Sequence, residues 1–320
     1  MLSTLYIWDK SLRGHTDTVN CLAFSSQVSY LASGSDDHLL MVWHVSSGEV
    51  ACIIHTSVLI LSILWDPCQC STIIFGCDNR VAAVLSEFSG NGTFTFFFHA
   101  VLLGVKALVY CLDLDPSSGK LTLGVGPEIH ITKPIAHISG SDNADDECSV
   151  HTCSLHFLMG GNKVIASYLN HGIVCWDIET HAKLWQIKPG HTHHHIRFSA
   201  LSPDQQGLLV SNLSTGADLY HLGQSTQIQM YPQAPDVEQN YPLSISFLHN
   251  GNAIICGVTK GDVFIHETWT AEHQQMLEHD GDFIQVLCTG QYRQMGYIAT
   301  VTAEMGSNTY IKIWSTHLCK

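Results

Sequence analysis

The sequence predicts an all-β fold made of seven similar units, each with four short antiparallel strands, and three observations support it. The chain has 320 residues, of which 45% are apolar and only 13% charged, which is typical of a folded globular protein. Its apolar runs are short, rich in β-branched and aromatic residues, and bounded by Gly, Asn, Asp and Pro, as strands are. A turn that follows an apolar run recurs along the whole chain at a nearly constant spacing, which indicates a repeat architecture.

The recurring turn divides the chain into units. The seven turns begin at Phe24, Trp65, Leu114, Phe157, Leu201, Phe247 and Leu287, with successive spacings of 41, 49, 43, 44, 46 and 40 residues. One four-stranded unit cannot bury both faces, so we expect the units to stack around a ring as one seven-bladed β-propeller domain. The expected blades cover residues 15–54, 55–92, 93–138, 149–189, 190–231, 241–279 and 281–318, with residues 3–12 added to the last.

The first unit shows the four-strand pattern most clearly. Its predicted strands are Val19–Phe24, Tyr30–Ser35, Leu39–Trp43 and Val50–Ile54. The connecting segments are rich in Asp, Ser and Gly, which favour turns. Alternating strands and tight turns of this kind predict a meander of antiparallel strands.

The last unit is one strand short, and the chain start supplies a candidate for it. The unit contains predicted strands at Phe283–Leu287, Tyr297–Thr302 and Tyr310–Trp314, and Leu5–Leu12 lies before the first unit without a blade of its own. An N-terminal strand that completes the final blade would remove an exposed sheet edge. We therefore expect Leu5–Leu12 to pair with Tyr310–Trp314 and close the ring.

Several short motifs resemble those of the WD-repeat β-propeller family, which places Gly-His before the first strand of a repeat and Trp-Asp at the end of the third. In the first unit, Gly14-His15, the Ser33–Asp37 segment and Trp43 match this pattern, although His44 stands where the Asp would be. The resemblance implies a propeller fold. Further matches are Trp176-Asp177 preceded by Asn170, Trp314 preceded by Asn308, and the Gly190-His191 pair.

The resemblance also implies a hydrogen-bonded group inside a blade. In the first unit it would consist of His15, Ser33, Asp37 and Trp43, and its role would be structural. A buried carboxylate and a buried indole N–H each need a partner, which gives the group a physical reason. Asn170 and Asn308 stand six residues before their tryptophans, as Asp37 stands before Trp43. Those two turns lack the charge, so we expect their blades to be held less rigidly.

Metal, cofactor and catalytic sites are not expected. The histidines of residues 191–195 would alternate between the faces of a strand, Cys68, Cys70 and Cys77 lack zinc-site spacing, and the acidic residues of 142–147 lack the ligand alternation of a calcium loop. The chain contains no phosphate-binding glycine loop, nucleophile elbow or zinc-protease motif. We predict no metal, no cofactor and no catalytic residues.

Charge and hydropathy restrict the partners. A net charge of −14 disfavours nucleic acid. Residues 93–114 approach the length of a membrane span, but His99, Lys106 and the β-prone composition favour two buried strands. No cleavable signal peptide opens the chain, and its 12 cysteines are expected to be free thiols, so we predict a cytoplasmic or nuclear protein.

The function expected from the resemblance is a non-catalytic scaffold or adaptor that binds other proteins or peptides. One alternative is a substrate receptor of a cullin ubiquitin ligase, but the position where that group carries Arg after Trp-Asp holds Ser11 and Glu179 here. Another alternative is an enzyme or small-ligand binder that uses the central channel, and a third is a membrane-tethered propeller. A fold does not determine a function, so these alternatives stay open at the sequence level.

Overall fold

The computed structural model describes most of the 320 residues, in these ranges: 5–69, 71–79, 81–85, 101–102, 108–132, 135–139, 151–189, 196–212, 216–232, 244–257, 261–279, 283–303 and 306–318. Regular structure in these ranges is β-strand apart from two single 3₁₀ turns, His249–Gly251 and Gly306–Asn308. The expected strand at 93–99, the acidic residues of 142–147 and the pair Gly190-His191 lie outside the described residues. No helix in the described part of the chain is long and apolar enough to span a membrane.

The strands form seven separate four-stranded antiparallel sheets, which confirms the prediction of an all-β, seven-bladed propeller. The chain divides into two compact units. The first contains Met1–Lys106, Gly257–Ile265 and His273–Lys320, and the second contains Ala107–Cys256 and His266–Glu272.

In the first unit, strand β1 (Ile7–Arg13) precedes the first blade. The first blade consists of β2 (Val19–Phe24), β3 (Tyr30–Ser35), β4 (Leu39–His44) and β5 (Val50–His55). The second consists of β6 (Ile60–Trp65), β7 (Ile73–Cys77), β8 (Val81–Leu85) and β9 (Val101–Leu102). Because β9 pairs with Val81 and Ala82, the second blade extends past residue 92, where the sequence analysis ends it, and takes residues 101 and 102 from the expected third blade.

The second unit contains the third, fourth and fifth blades. The third is β10 (Val109–Asp115), β11 (Lys120–Val125), β12 (Glu128–Thr132) and β13 (Ile135–Ser139). The fourth is β14 (Thr152–Phe157), β15 (Lys163–Tyr168), β16 (Gly172–Asp177) and β17 (Lys183–Ile187). The fifth is β18 (Ser199–Leu201), β19 (Gly207–Asn212), β20 (Gly216–His221) and β21 (Gln227–Pro232).

The last two blades complete the propeller. The sixth is β22 (Ile245–Leu248), β23 (Ala253–Gly257), β24 (Val263–Glu267) and β25 (His273–Leu277). The seventh joins β26 (Ile284–Tyr292), β27 (Met295–Thr302) and β28 (Tyr310–His317) to β1 in the order β1-β28-β27-β26. The antiparallel pairing of β1 with β28 runs from Ile7 opposite Ser315 to Arg13 opposite Tyr310. The predicted closure by the N-terminal strand is therefore confirmed.

A register shift recurs in the first strand of five blades and shapes the contact with the next blade. It lies between residues 19 and 21, 60 and 62, 109 and 111, 152 and 154, and 284 and 286. After the shift, a small polar side chain donates to a backbone carbonyl of the following blade in three cases: Cys21 to Ile60 at 3.9 Å, Cys111 to Thr152 at 3.6 Å, and Ser154 to Arg197 at 3.3 Å. The same position thus links blades by hydrogen bonds as well as by apolar packing.

Candidate functional site

The four predicted polar residues of the first blade meet in one buried group. His15 lies before β2, Ser33 lies in β3, Asp37 lies in the turn after β3, and Trp43 lies in β4. His15 Nδ1 is 2.9 Å from Asp37 Oδ2, and His15 Nε2 is 2.7 Å from Ser33 Oγ. Trp43 Nε1 donates to Ser33 Oγ at 2.9 Å. The group connects the segment before the first strand to the second and third strands of the blade.

Backbone amides complete the environment of the Asp37 carboxylate. The amides of Thr16 and Leu39 donate to it at 2.9 and 3.0 Å, and the side chains of His15 and Asp37 are only 2% and 4% exposed. Burial alone would raise the pKa of Asp37, but the hydrogen bonds from His15 and the two amides hold that pKa below its usual range. The carboxylate is therefore charged at neutral pH, and its role is to fix the turn.

Gly14 precedes this group where no side chain fits. A Cβ atom at this position would lie 2.8 Å from Met41 Cε and 3.1 Å from Trp43 Cη2. The glycine lets the chain pass directly over the third strand, so that His15 can turn inward. This close approach gives a physical reason for the Gly-His pair.

The seventh blade contains a similar group that the sequence analysis missed in part. Trp314 Nε1 donates to Thr300 Oγ1 at 2.9 Å, and His279 Nε2 is 2.6 Å from the same oxygen. His279 follows Glu278 rather than Gly, and Thr300 stands 14 residues before its tryptophan, whereas Ser33 stands ten before Trp43. The longer spacing hid the equivalence. Asn308, the predicted turn residue, is exposed in the 3₁₀ turn.

The fourth blade has the tryptophan without its hydroxyl acceptor. Ala166 stands ten residues before Trp176, where the first blade has Ser33. The buried Trp176 Nε1 makes no hydrogen bond of normal geometry, and the polar group beside it is the Tyr168 hydroxyl. Asn170 is half-buried in the turn after β15. Asp177 accepts the amide and hydroxyl of Thr180, both at 2.8 Å, which lowers the pKa of this exposed carboxylate and fixes the turn before β17.

Three large apolar side chains near the start of the chain are exposed, and we call them the N-terminal patch. It consists of Leu5, Ile7 and Trp8, which are 54%, 66% and 60% exposed. Between them, Tyr6 is buried, and its backbone exchanges two hydrogen bonds with the side chain of Gln275, at 2.8 and 2.6 Å. The patch is therefore presented by a backbone that is held from both sides, by β28 and by Gln275.

The described residues contain no group of three or more His, Cys, Asp and Glu side chains placed to hold a metal ion. Burial raises the pKa of the Cys52 and Cys77 thiols to about 11 and about 12, so both are protonated at neutral pH. The described cysteines are free thiols, and most of them are buried. The environment of the buried ones is that of core side chains.

Comparison with known proteins gives matches in short segments. The family described as "WD domain, G-beta repeat" matches residues 8–44. Ribosome biogenesis protein BOP1 of Mus musculus is 42% identical over 55 residues, which are 17% of this chain and 8% of the mouse protein. Nuclear distribution protein PAC1 of Ajellomyces capsulatus is 35% identical over 77 residues, which are 23% of this chain and 17% of the fungal protein. The matches thus cover less than a fifth of either relative.

The fold and the buried groups define a class of protein, a β-propeller in which histidine, hydroxyl and tryptophan side chains form hydrogen-bonded groups inside the first and seventh blades. The match to residues 8–44 covers all but the first residue of β1 and the first three strands of the first blade, including the whole of its polar group. Over residues 8–44 the chain is similar to the WD-repeat family, and the seven four-stranded sheets agree with the propeller fold that this similarity implies. The match supports the resemblance of the sequence motifs.

Proposed function

We propose that this protein is a non-catalytic scaffold that binds other proteins or peptides, and that the N-terminal patch is one of its contact surfaces. The observation that carries the proposal is the exposure of three large apolar side chains on one ordered segment. Contiguous exposed apolar groups on an ordered surface are typical of interaction sites, and tryptophan is enriched among residues that dominate binding energy.

The way the patch is held supports this role. Gln275 and β28 fix the backbone on either side of Ile7 and Trp8, so little conformational entropy is lost when a partner binds. The adjoining β25 adds Met276, which is 40% exposed. Apolar and aromatic side chains on a fixed backbone suit a partner that offers an apolar surface.

The other parts of the proposal follow from charge and family. The net charge of −14 disfavours nucleic acid as a direct partner and favours a basic or neutral protein surface. We propose no cofactor and a location in the cytoplasm or nucleus. The relatives are named for two different processes, ribosome biogenesis and nuclear distribution, so the shared repeat does not select a process.

The test compares two exposed tryptophans. Wild-type protein, Trp8→Ala and Trp269→Ala are immobilised and exposed to extract from cells that express the protein, and retained proteins are quantified by mass spectrometry. Trp269 is the matched control because it is also an exposed tryptophan, 54% exposed, and lies in the turn after β24. Circular dichroism first shows that the variants fold, which is expected for surface positions.

We expect at least one protein to be retained by wild type and by Trp269→Ala but lost with Trp8→Ala. A purified candidate must then bind wild type in isolation, with at least tenfold weaker binding to Trp8→Ala, as expected when a central aromatic contact is lost. Equal retention by wild type and Trp8→Ala would refute the patch as a contact surface. Loss with both variants would indicate non-specific adsorption, and retention of nothing by the wild type would refute the scaffold proposal itself.

A further inference from the structure

Strand β1 is a terminal strand of the seventh blade, so only one of its two edges pairs with a neighbouring strand. The strand order of this sheet is β1-β28-β27-β26. The edge of β1 that faces away from β28, which we call the open edge, therefore carries main-chain N–H and C=O groups that the sheet itself does not pair. Such groups are a template for the addition of a further strand.

A side-chain amide already binds one residue of the open edge as a strand would. Gln275 Oε1 accepts the Tyr6 N–H at 2.8 Å, and Gln275 Nε2 donates to the Tyr6 carbonyl at 2.6 Å. A strand paired with Tyr6 would make the same two bonds, one to each main-chain group. The preceding carbonyl, that of Leu5, accepts Thr316 Oγ1 of β28 and so faces the opposite edge. Gln275 therefore identifies Tyr6 as a residue of the open edge.

The alternation of an extended strand places Trp8 next on the open edge. The main-chain groups of successive residues in an antiparallel strand point to opposite edges. Ile7 stands opposite Ser315 and faces β28, so Trp8 shares the open edge with Tyr6. The N–H and C=O of Trp8 are therefore the next pair of groups that an added strand could reach.

The side chains of Ile7 and Trp8 favour a partner that meets the sheet at its edge. Adjacent residues of a strand point to opposite faces of the sheet, yet Ile7 is 66% exposed and Trp8 is 60% exposed. A partner packed on one face would cover only one of these side chains. A strand added at the open edge would present side chains on both faces, so it could cover both residues at once.

The second half of β1 is protected against such pairing. A register shift between Trp8 and Lys10 interrupts the ladder. The Lys10 ammonium donates to the carbonyls of Val45 and Ser46 in the first blade, at 2.8 and 2.5 Å, and a Cβ atom on Gly48 would lie 3.0 Å from Lys10 Cδ. Bulges and lysines are features that protect sheet edges from further strands. The unprotected part of the edge is therefore the start of the strand.

The fourth strands of the other blades are less exposed. Their large exposed apolar residues are between 37% and 50% exposed, and these are Val50 and Ile53 of β5, Leu184 of β17, Ile228 and Met230 of β21, and Met276 of β25. Among the terminal strands whose side chains the structure describes, only β1 has two adjacent apolar residues that are more than half exposed. The start of β1 thus differs from the corresponding strands of the other blades.

We propose that the open edge of β1 binds an extended segment of a partner protein, which adds a strand to the seventh blade through the main chain of Trp8. The inference rests on the proposed function, because both use the N-terminal patch. Charge selects an uncharged, apolar segment, since residues 5–8 carry no charge and Asp9 already pairs with Lys10 at 3.3 Å. In recognition by strand addition, main-chain bonds supply affinity and alternate side chains supply specificity. Those side chains would lie against Ile7 on one face and Trp8 on the other.

The experiment uses peptides as probes. A phage library of random peptides of about 12 residues is selected on immobilised wild-type protein and depleted on Trp8→Ala, so that the retained peptides depend on Trp8. One such peptide is synthesised unmodified, N-methylated at every odd position, and N-methylated at every even position. Only one of the two sets of N–H groups in an added strand faces β1. We therefore expect one methylated form to bind at least about tenfold more weakly than the unmodified peptide, and the other to bind within about threefold of it.

Hydrogen exchange measured by NMR gives a second readout from the protein itself. In the complex with the unmodified peptide, exchange of the Trp8 amide should slow by about tenfold or more, whereas that of the Ile7 amide, which faces β28, should not change.

The outcomes separate strand addition from the proposed function. Equal effects of the two methylated forms, or an unprotected Trp8 amide, would overturn strand addition and leave the N-terminal patch as a contact surface. Failure to select any peptide that depends on Trp8 would also overturn it, while the scaffold proposal is decided by the capture experiment with Trp8→Ala. A wild-type dimer in size-exclusion chromatography that Trp8→Ala abolishes would show a second copy at the open edge, and would overturn a partner segment as its occupant.

Discussion

Three tryptophans at equivalent places in the third strands of their sheets allow the buried hydrogen bonds to be weighed separately. Trp43, Trp176 and Trp314 are 1%, 7% and 6% exposed. The indoles of Trp43 and Trp314 each donate to a hydroxyl group at 2.9 Å, whereas that of Trp176 has only the Tyr168 hydroxyl beside it, without a hydrogen bond of normal geometry. Replacing each by phenylalanine removes the N–H and leaves an aromatic ring in place. The loss of volume is the same in all three variants, so their differences report on the N–H.

The hydrogen bonds set the expected order of stability. In Trp43→Phe and Trp314→Phe a hydrogen bond is lost, which costs about 1 kcal/mol beyond the loss of packing. In Trp176→Phe only a weak contact of the N–H with the Tyr168 hydroxyl is removed, so little hydrogen-bond energy is lost. Trp43→Phe should therefore be less stable than Trp176→Phe by about 1 kcal/mol, and Trp314→Phe should resemble Trp43→Phe.

Urea unfolding followed by far-UV circular dichroism measures this difference, because the substitutions change tryptophan fluorescence directly. The free energy of unfolding is obtained from the midpoint and the slope, and equal slopes show that the variants unfold over the same range of structure. Equal destabilisation by Trp43→Phe and Trp176→Phe would refute the reasoning, since it would mean that the Ser33 acceptor contributes nothing.

Three further predictions concern other features. Asp37→Asn should destabilise the protein by about 2 to 3 kcal/mol at pH 7, because it weakens a buried charge-assisted bond to His15. The difference in stability from wild type should shrink below about pH 4, and urea titrations at both pH values measure it. Equal unfolding midpoints at pH 7 would contradict this prediction. Gly34→Ala would place a Cβ atom 2.4 Å from Ile60 Cγ2 and should lower the free energy of unfolding by about 1 to 3 kcal/mol. Gly207→Ala should lower it less, because the nearest neighbour of its Cβ atom would be 3.3 Å away. The same urea assay tests this order. Deleting residues 1–12 should leave the edge of β28 unpaired and cause self-association, and a monomer in size-exclusion chromatography would argue against it.

The first blade and the closing strand were predictable because the residues that indicate each strand and turn are close together in the sequence. Strands of five or six residues separated by short turns leave little choice of register, and the four strands of the first blade end within one residue of their expected ends. The N-terminal closure followed from counting strands. By contrast, Val101–Leu102 follows a long segment after β8, and no local pattern assigns so short a strand to the second blade.

The polar group of the seventh blade could not be predicted because its members are far apart and irregularly spaced. His279 lacks the preceding glycine, and the connection of residues 303–309 between β27 and β28, longer than residues 36–38 in the first blade, places Thr300 further from Trp314 than the motif allows. Asn308 was favoured by its spacing alone. The contact of Asp113 with the next blade, where it accepts the Phe157 N–H, was also invisible in the sequence, since an Asp-Leu-Asp-Pro run at the end of a strand is typical of an exposed turn.

Two titratable groups at equivalent positions in neighbouring blades have opposite effects on stability. Asp113 and His156 each stand two residues after the polar residue that follows a register shift, and each contacts the first strand of the next blade. Burial raises the pKa of Asp113 to about 7 and lowers the pKa of His156 to about 4, although hydrogen bonds oppose both shifts. The unfolded chain protonates this histidine near pH 6.5, so its contribution to stability is lost as the pH falls from 6.5 to 4, whereas that of Asp113 is lost as the pH rises from 4 to 7.

The two contributions therefore oppose each other between pH 4 and 6.5, and a global unfolding experiment should show only a weak pH dependence from them. Local hydrogen exchange should separate them: exchange in β10 should slow as the pH falls over this range, after correction for the intrinsic rate, while exchange in β18 should become faster. His156→Gln keeps a donor for the Ser199 oxygens and should remove the change in β18 without altering that in β10. Parallel changes in both strands would show that the two contacts between blades do not open independently, and the opposition between them would then be wrong.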